Sequence, residues 1–472
     1  MKNNKNSIII GLLLLAMATT SCSEDFIDKT DPNRLATSEY IKDSESLKTA
    51  VIASYGTLMP LYNNPQTGVQ VFDVASDNAS TVTTGGIGSG VIDQLTFNSA
   101  WPGFSTFWNA TYKSIAECNI VLTRGPKVSM DVTLQNRLLA ETKFIRALDY
   151  FNLVRIFGDV PLVTVELHDY KEAYAYGRQP VATVYAQIVK DLTEAAAVLP
   201  AVYTGGDIGR VTSGAAKALL GKVYLTQGKY TEALASLTEV INSAKYSLVP
   251  DFNNVFGPAN ETNSEMIFTV RYLKGGFGMS NPIGVSMNTV TGNYFGMSDW
   301  GSLYTASDKR KAISATAAAG STGGTVYLCK KFVDPAPAGG EYDNDWIVLR
   351  YADVLLMQAE CLNELNRTSE AFAFINQVRQ RAGLADLSGL NQADFRLAVE
   401  NERRLELGLE GHRWFDLIRT GRALTVMNAH FAANAAYYGG TTFVMKPTHV
   451  LFPIPLVEIN ANPDKLTQNP GY

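Results

Sequence analysis

The chain predicts a mostly α, helical-repeat scaffold with long irregular insertions and a few short strands. Three stretches of its 472 residues carry that expectation. Between Ser213 and Asn242, Ala216, Leu219, Leu220 and Val223 recur at i, i+3, i+4 and i+7, and Ala233, Leu237, Val240 and Ile241 restart the stripe beyond Gly228. Gly228 closes the first helix and Thr231 is placed to cap the second. A similar pair runs from about Val348, through Ala352, Leu355, Leu356, Ala359 and Leu362, to a second helix from Ser369 to Arg381 that ends at Gly383. Neither helix of a pair can bury its stripe alone, so the pairs must stack on one another. The third stretch, about 247–346, loses helical periodicity and sets aromatic residues among glycines, as an insertion would.

The remaining elements follow from the same patterns. A helix starts near Ser44, with Leu47, Val51, Tyr55 and Leu58 on one face, and Asn63-Asn64-Pro65 breaks it. From Val69 to Ser99 the chain turns to Gly, Thr, Ser and Asp, including Thr84-Gly85-Gly86-Ile87-Gly88-Ser89-Gly90, and reads as an exposed loop. Helices are predicted over Phe104–Leu122, over Arg137–Phe157 with a stop at Gly158, and from about Thr183 to Leu199. Within the long insertion, Met266, Phe268 and Val270 alternate as in a half-buried strand, and Thr325 to Val333 forms a second candidate. Asp394 to Arg419 reads as one further helix. The Pro- and Asn-rich end, Leu451 to Tyr472, is apolar enough at its start to pack on the body.

At the N-terminus, Lys2 and Lys5 precede an apolar run from Ile8 to Ala18. It is shorter than the roughly 20 residues of a spanning helix and suits a signal peptide over residues 1–21. Small residues leading into Cys22 resemble a bacterial lipoprotein processing site, with Cys22 as the lipid-attachment point. Residues 22–40 then form a tether and 41–472 a single domain, with insertions at about 63–100 and 247–346. A net charge of -5 provides no basic face for nucleic acid. Cys118, Cys329 and Cys361 have neither C-x-x-C spacing nor a His cluster, so neither a zinc site nor an essential disulfide is expected.

Two motifs near the C-terminus then narrow the reading. Arg350-Tyr351-Ala352-Asp353-Val354-Leu355-Leu356-Met357-Gln358-Ala359-Glu360 resembles a signature helix of the SusD/RagB family. Asn401-Glu402-Arg403-Arg404-Leu405-Glu406-Leu407, continuing through Glu410-Gly411-His412-Arg413-Trp414-Phe415-Asp416-Leu417-Ile418-Arg419, resembles its second motif. Leu451-Phe452-Pro453-Ile454-Pro455, Glu458-Ile459 and Leu466 to Tyr472 are similar to the family's ending, and the Ser213–Asn242 hairpin resembles a tetratricopeptide repeat. The resemblance implies four tetratricopeptide-like helix pairs and a loop-built ligand face. It also implies a lipid-anchored, surface-exposed outer-membrane protein that binds oligosaccharide, or in some members peptide, and delivers it to a SusC-like TonB-dependent transporter.

Glu402, Glu406 and Glu410 fall at helical spacing, yet interleaved Arg403, Arg404 and Arg413 favour ion pairing over an acid/base couple, and no cofactor motif occurs. The competing class is a lipid-anchored glycoside hydrolase, which needs two carboxyls across a cleft. His412 reads as structural. Glu341, Asp343 and Asp345 alternate without a complete calcium-loop pattern, so no metal is assigned. Sugar rings stack on aromatic faces and their hydroxyls need planar polar partners. The ligand-binding candidates are therefore Trp101, Tyr294, Phe295, Trp300 and Tyr304 with Asp73, Asp77, Asn78 and Arg271, whereas Trp108 and Trp414 are expected in the core.

Overall fold

A computed structural model describes residues 40–64, 68, 71–81, 90–290, 294–320 and 324–472. The signal peptide, Cys22, nearly all of the tether and most of the Thr84–Gly90 run lie outside the described residues. Eleven longer helices are numbered here in chain order: α1 (Ser44–Gly56), α2 (Pro102–Arg124), α3 (Val132–Phe157), α4 (Val181–Val198), α5 (Ser213–Thr226), α6 (Tyr230–Asn242), α7 (Tyr351–Glu364), α8 (Thr368–Arg381), α9 (Gln392–Glu406), α10 (Arg413–Arg419) and α11 (Ala423–Ala433). From α2 to α8 each helix packs on the next, so the chain forms the stacked, tetratricopeptide-like scaffold that its apolar stripes predicted.

Local chemistry sets the helix ends. The Thr212 hydroxyl accepts the Ala215 N–H at 3.1 Å and caps α5. Gly228, at φ 70°, takes the left-handed turn into α6. Here the expected Thr231 cap is corrected: α6 already begins at Tyr230, behind Lys229, with no side-chain cap. Gly158, at φ 72°, ends α3 as predicted. Apart from Glu364, every residue of α7 is buried, which makes it the axis of the C-terminal half, packed between α6, α8 and α9.

Four segments depart from the sequence reading, the first being Val69 to Ser99, read as an exposed loop, where residues 72–81 are buried and Ala79–Ser80 is a strand. Val348 to Arg350 belong to a strand, Trp346–Arg350, paired antiparallel with Met266–Val270, so the helix starts only at Tyr351. Met266–Val270 is buried on both faces from Ile267 onward, because this two-stranded sheet lies beneath the helices instead of facing solvent. The predicted Asp394–Arg419 helix is broken between Glu406 and Arg413, with Leu409 at φ 64° and Gly411 at φ 80°. That break frees the carbonyls of Glu406 and Gly408. They accept hydrogen bonds from Arg350 Nη2 at 2.6 Å and Lys331 Nζ at 2.9 Å respectively.

Those contacts belong to a buried charge network. Arg350 bonds Glu410 at 2.7 Å, Glu265 at 2.9 Å and Glu406 at 2.5 Å. Arg381 joins Glu265 and Glu406, Arg310 joins Glu402, Glu406 and Asp308, and Lys331 joins Glu410. The expected ion pairing is therefore present: Glu402, Glu406 and Glu410 meet cations from distant segments, while Arg403 with Asp416 and Arg413 with Glu400 pair within the Asp394 to Arg419 stretch. His412 is buried against Lys222 Nζ at 2.8 Å; burial and that cation push its imidazole down to about 3.

The C-terminal coil packs on the body as expected. The Phe452 N–H donates to the Ile156 carbonyl at 2.9 Å, and Asn469 Nδ2 donates to the Phe157 and Phe452 carbonyls. Trp108, Trp414 and the three free cysteines Cys118, Cys329 and Cys361 are buried. Arg350→Ala leaves Glu265, Glu406 and Glu410 short of their shared cation in the interior. The expected loss is about 3–5 kcal/mol, read from urea unfolding at neutral pH.

Candidate ligand face

A small four-stranded sheet gathers most of the predicted site residues. Its strands run in the order Ala79–Ser80, Phe295–Gly296, Thr325–Leu328, Thr316–Ala319, and all pair antiparallel. Asp73, Asp77 and Asn78 lead into the first strand; Tyr294 and Phe295 enter the second, with Trp300 and Tyr304 just beyond it. The sequence thus named residues that converge in space. It misjudged which way they point.

Asp73, Asp77, Asn78, Tyr294, Phe295, Trp300 and Tyr304 are all buried, and most have committed partners. Arg413 grips Asp77 with two bonds, at 2.7 and 2.9 Å, and Arg404 reaches the same carboxylate at 2.9 Å. Burial opposes ionisation of Asp77, but these two guanidinium groups outweigh it and hold the carboxyl well below its usual range. Arg404 Nε also donates to Asn78 Oδ1 at 2.8 Å. The Trp300 indole donates to the Arg404 carbonyl at 3.2 Å, and the Tyr304 hydroxyl to the Leu405 carbonyl at 2.7 Å. Phe295 packs with Met297 and Val326 beside Tyr437. These side chains therefore lie beneath the sheet with their polar groups engaged by the protein, whereas the sequence reading expects them at a ligand.

The other two candidates lie elsewhere. Trp101, also buried, starts α2 and packs edge-on against Phe104 at 4.8 Å, near the C-terminal coil. Arg271 keeps an exposed guanidinium, paired with Asp345 at 2.8 Å and Glu261 at 3.2 Å, on a separate groove of about 200 Å³ that also holds Tyr203 and Tyr246. The acidic run beyond that groove is occupied by protein donors. Glu341 accepts the Gly275 and Gly276 N–H groups, Asp343 the Lys274 N–H, and Asp345 the Tyr272 N–H.

Several residues that the sequence reading missed complete the face. Tyr327 and Tyr437 on and beside the sheet are half-buried, not enclosed. The Tyr437 hydroxyl lies 2.9 Å from Ser80 Oγ, which donates to Asp93 Oδ2 at 2.6 Å. Tyr438 donates to Asp93 Oδ1 at 2.9 Å and sits 3.2 Å from His430 Nε2, and His430 Nδ1 lies 2.7 Å from Asp299. Burial pushes the Asp93 carboxyl up to about 7. A signal was available, because Tyr437-Tyr438 precede Gly439-Gly440. What the sequence could not supply was the contact between this distant pair and Ser80.

The architecture so far is that of a helical-repeat scaffold with a loop-and-sheet face built by its insertions. By comparison, residues 288–472 match the SusD family, and residues 25–225 match a family described as starch-binding and associating with the outer membrane. A SusD-like protein of Formosa agariphila is 30% identical, over 98% of this chain and 99% of its own. The chain belongs to the SusD/RagB family. Among solved structures, a laminarin binding SusD-like protein superposes with a TM-score of 0.79 at 28% identity, over 92% of this chain and 100% of that one. A SusD homolog from Bacteroides thetaiotaomicron gives a TM-score of 0.81 at 24% identity, over 94% and 100%.

Asp73 provides a titration test of the buried underside. It accepts from the Tyr294 hydroxyl at 2.9 Å and the Gly411 N–H at 2.5 Å, while its Oδ1 has no partner. Burial raises its carboxyl from 3.8 to about 7. Between these values the unfolded chain has released a proton that the folded chain keeps, so this group costs stability as pH rises from about 4 to 7. Asp73→Asn removes that slope. Urea unfolding at pH 4.5 and 7.0 is expected to show the variant gaining on the parent with rising pH, by an amount on the order of 1 kcal/mol per unit.

Proposed function

We propose that the protein is a non-enzymatic, lipid-anchored outer-membrane lipoprotein that binds oligosaccharide at the cell surface and delivers it to a SusC-like TonB-dependent transporter. The observation that carries this reading is the end-to-end likeness to the laminarin binding SusD-like structure, at an identity where more than bare fold is shared. The outer-membrane description of the family matched over residues 25–225 supports the location, as does the Cys22 lipoprotein pattern. No helix among the described residues is long and apolar enough to cross a membrane, so a lipid on Cys22 is the anchor in this proposal. Binding without cleavage is favoured because Glu402, Glu406, Glu410 and Asp416, the carboxylates of the signature motif that most resemble catalytic groups, are each engaged by Arg or Lys.

The proposed contact surface is the exposed side of the four-stranded sheet. Tyr327 and Tyr437 supply ring faces for stacking, and Asp299 with the edge of Arg404 supplies planar polar partners. Trp300, Tyr304, Tyr294, Phe295, Asp73, Asp77 and Asn78 act one layer below by fixing the sheet. A second reading places the ligand in the Arg271 groove, favoured by the neighbouring Tyr203 and Tyr246.

Titration calorimetry with laminarin and a panel of other polysaccharides tests both. Tyr437→Ala is expected to weaken binding at least tenfold, the loss of about 1.4 kcal/mol that one stacked ring provides, with Arg271→Ala neutral and no reducing ends released. Loss confined to Arg271→Ala would move the site to the groove. Affinity unchanged in Tyr327→Ala and Tyr437→Ala would remove the sheet surface from consideration.

A further inference from the structure

A cavity of about 320 Å³ lies between α2, the segment around Pro161 to Tyr176 and the short C-terminal helix Leu456–Ala461, away from the sheet face. Its wall is mainly apolar and aromatic. Trp108 and Tyr112 lie one turn apart on α2 with ring centroids 4.9 Å apart, and Tyr174 and Tyr176 come from the opposite segment. The rim is open and apolar: Val165 is 49% exposed and Tyr174 45%. This volume falls at the lower end of small-molecule pockets, which run from roughly 300 to 1,000 Å³.

One charged group stands in this wall. Glu458 lines the cavity, and among the described residues no cation or hydrogen-bond donor pairs with its carboxylate. Elsewhere in this chain several buried carboxylates, Glu406 and Asp77 among them, are met by arginine. Removal from water raises the Glu458 carboxyl above its ordinary value, and nothing counters the shift. A cation entering the cavity would supply the missing partner. Aromatic walls attract the same kind of guest, because the face of each ring carries negative charge density.

We propose that this cavity is a binding site for a small organic cation, an ammonium group on a compact apolar body, with Glu458 as counter-ion and Trp108, Tyr112, Tyr174 and Tyr176 as its aromatic cage. A neutral sugar fits the wall less well. It would need several planar polar partners, and of the three amides in the wall Asn119 is already bonded to the Val163 carbonyl and Arg146 and Asn462 donates to the Tyr174 carbonyl, which leaves Asn109 and the one acid among ring and alkyl surface. The site does not depend on the glycan reading, since it shares no residue with the sheet face.

The test is titration of the detergent-solubilised full chain at pH 7.5 with phenethylammonium chloride, and with 2-phenylethanol as the neutral molecule of the same shape. The cation is expected to bind at least tenfold more tightly. Glu458→Gln is expected to erase that preference and Glu458→Asp, which keeps the charge, to retain part of it. Tyr174→Ala is expected to weaken both ligands, and unchanged melting temperatures would show that each variant is folded. Equal affinity for the two probes, no measurable binding of the cation, or a preference that survives Glu458→Gln would each overturn the proposal.

Discussion

The structure depends on a buried cluster in which Arg350, Arg381, Arg310 and Lys331 each meet carboxylates in the interior. Arg350 is almost wholly withdrawn from water, yet it touches three carboxylates and the Glu406 carbonyl. Burial alone would neutralise these groups. Instead, the crowding of Arg350, Arg381 and Arg310 around Glu406 holds that carboxyl well below its usual range. Buried ion pairs are weak evidence of stability, because desolvation offsets much of their attraction. Their stronger effect is geometric: each bond has one acceptable arrangement, so the strand ending at Arg350, α8, α9 and the loop after it are set in a single register.

The same segment carries the four-stranded sheet that is the proposed ligand face. Arg404 and Arg413 flank the residues locked by Arg350 and Lys331, and they reach the opposite way to Asp77 and Asn78. Trp300 and Tyr304 hang from the carbonyls of Arg404 and Leu405. The break in the helix after Glu406 thus does two jobs. It turns carbonyls toward the cations within, and it presents neighbouring backbone to the aromatics beneath the sheet. Rigidity of the scaffold is passed to the sheet through one stretch of about ten residues.

The helix pairs were legible because burial of a helix stripe leaves a period of about 3.6 that local context rarely disguises. The strand Trp346–Arg350 was not, since a fully covered strand lacks alternation and its sequence runs straight into an apolar helix. The charged motif was legible as ion pairs but not as a buried network, because its partners Glu265, Arg310 and Lys331 lie far off in sequence. The burial of the glycine-flanked aromatics Tyr294, Phe295 and Trp300 was not legible, because glycines beside rings also suit an exposed loop. A Cβ at Gly296 would come within 2.4 Å of the Trp300 ring, and one at Gly408 within 2.5 Å of it. The glycines are there to make room for rings folded inward, not to loosen a loop that exposes them.

If the face inherits its order from the network, the two must open together. Native-state hydrogen exchange measures this directly, by comparing amides around Trp300 and Tyr304 and from Leu405 to Gly411 with those at the centre of α7. The account predicts that all three groups exchange through one opening of similar free energy. Exchange of the Trp300 and Tyr304 region at rates close to those of a solvent-exposed loop, while α7 stays protected, would contradict it.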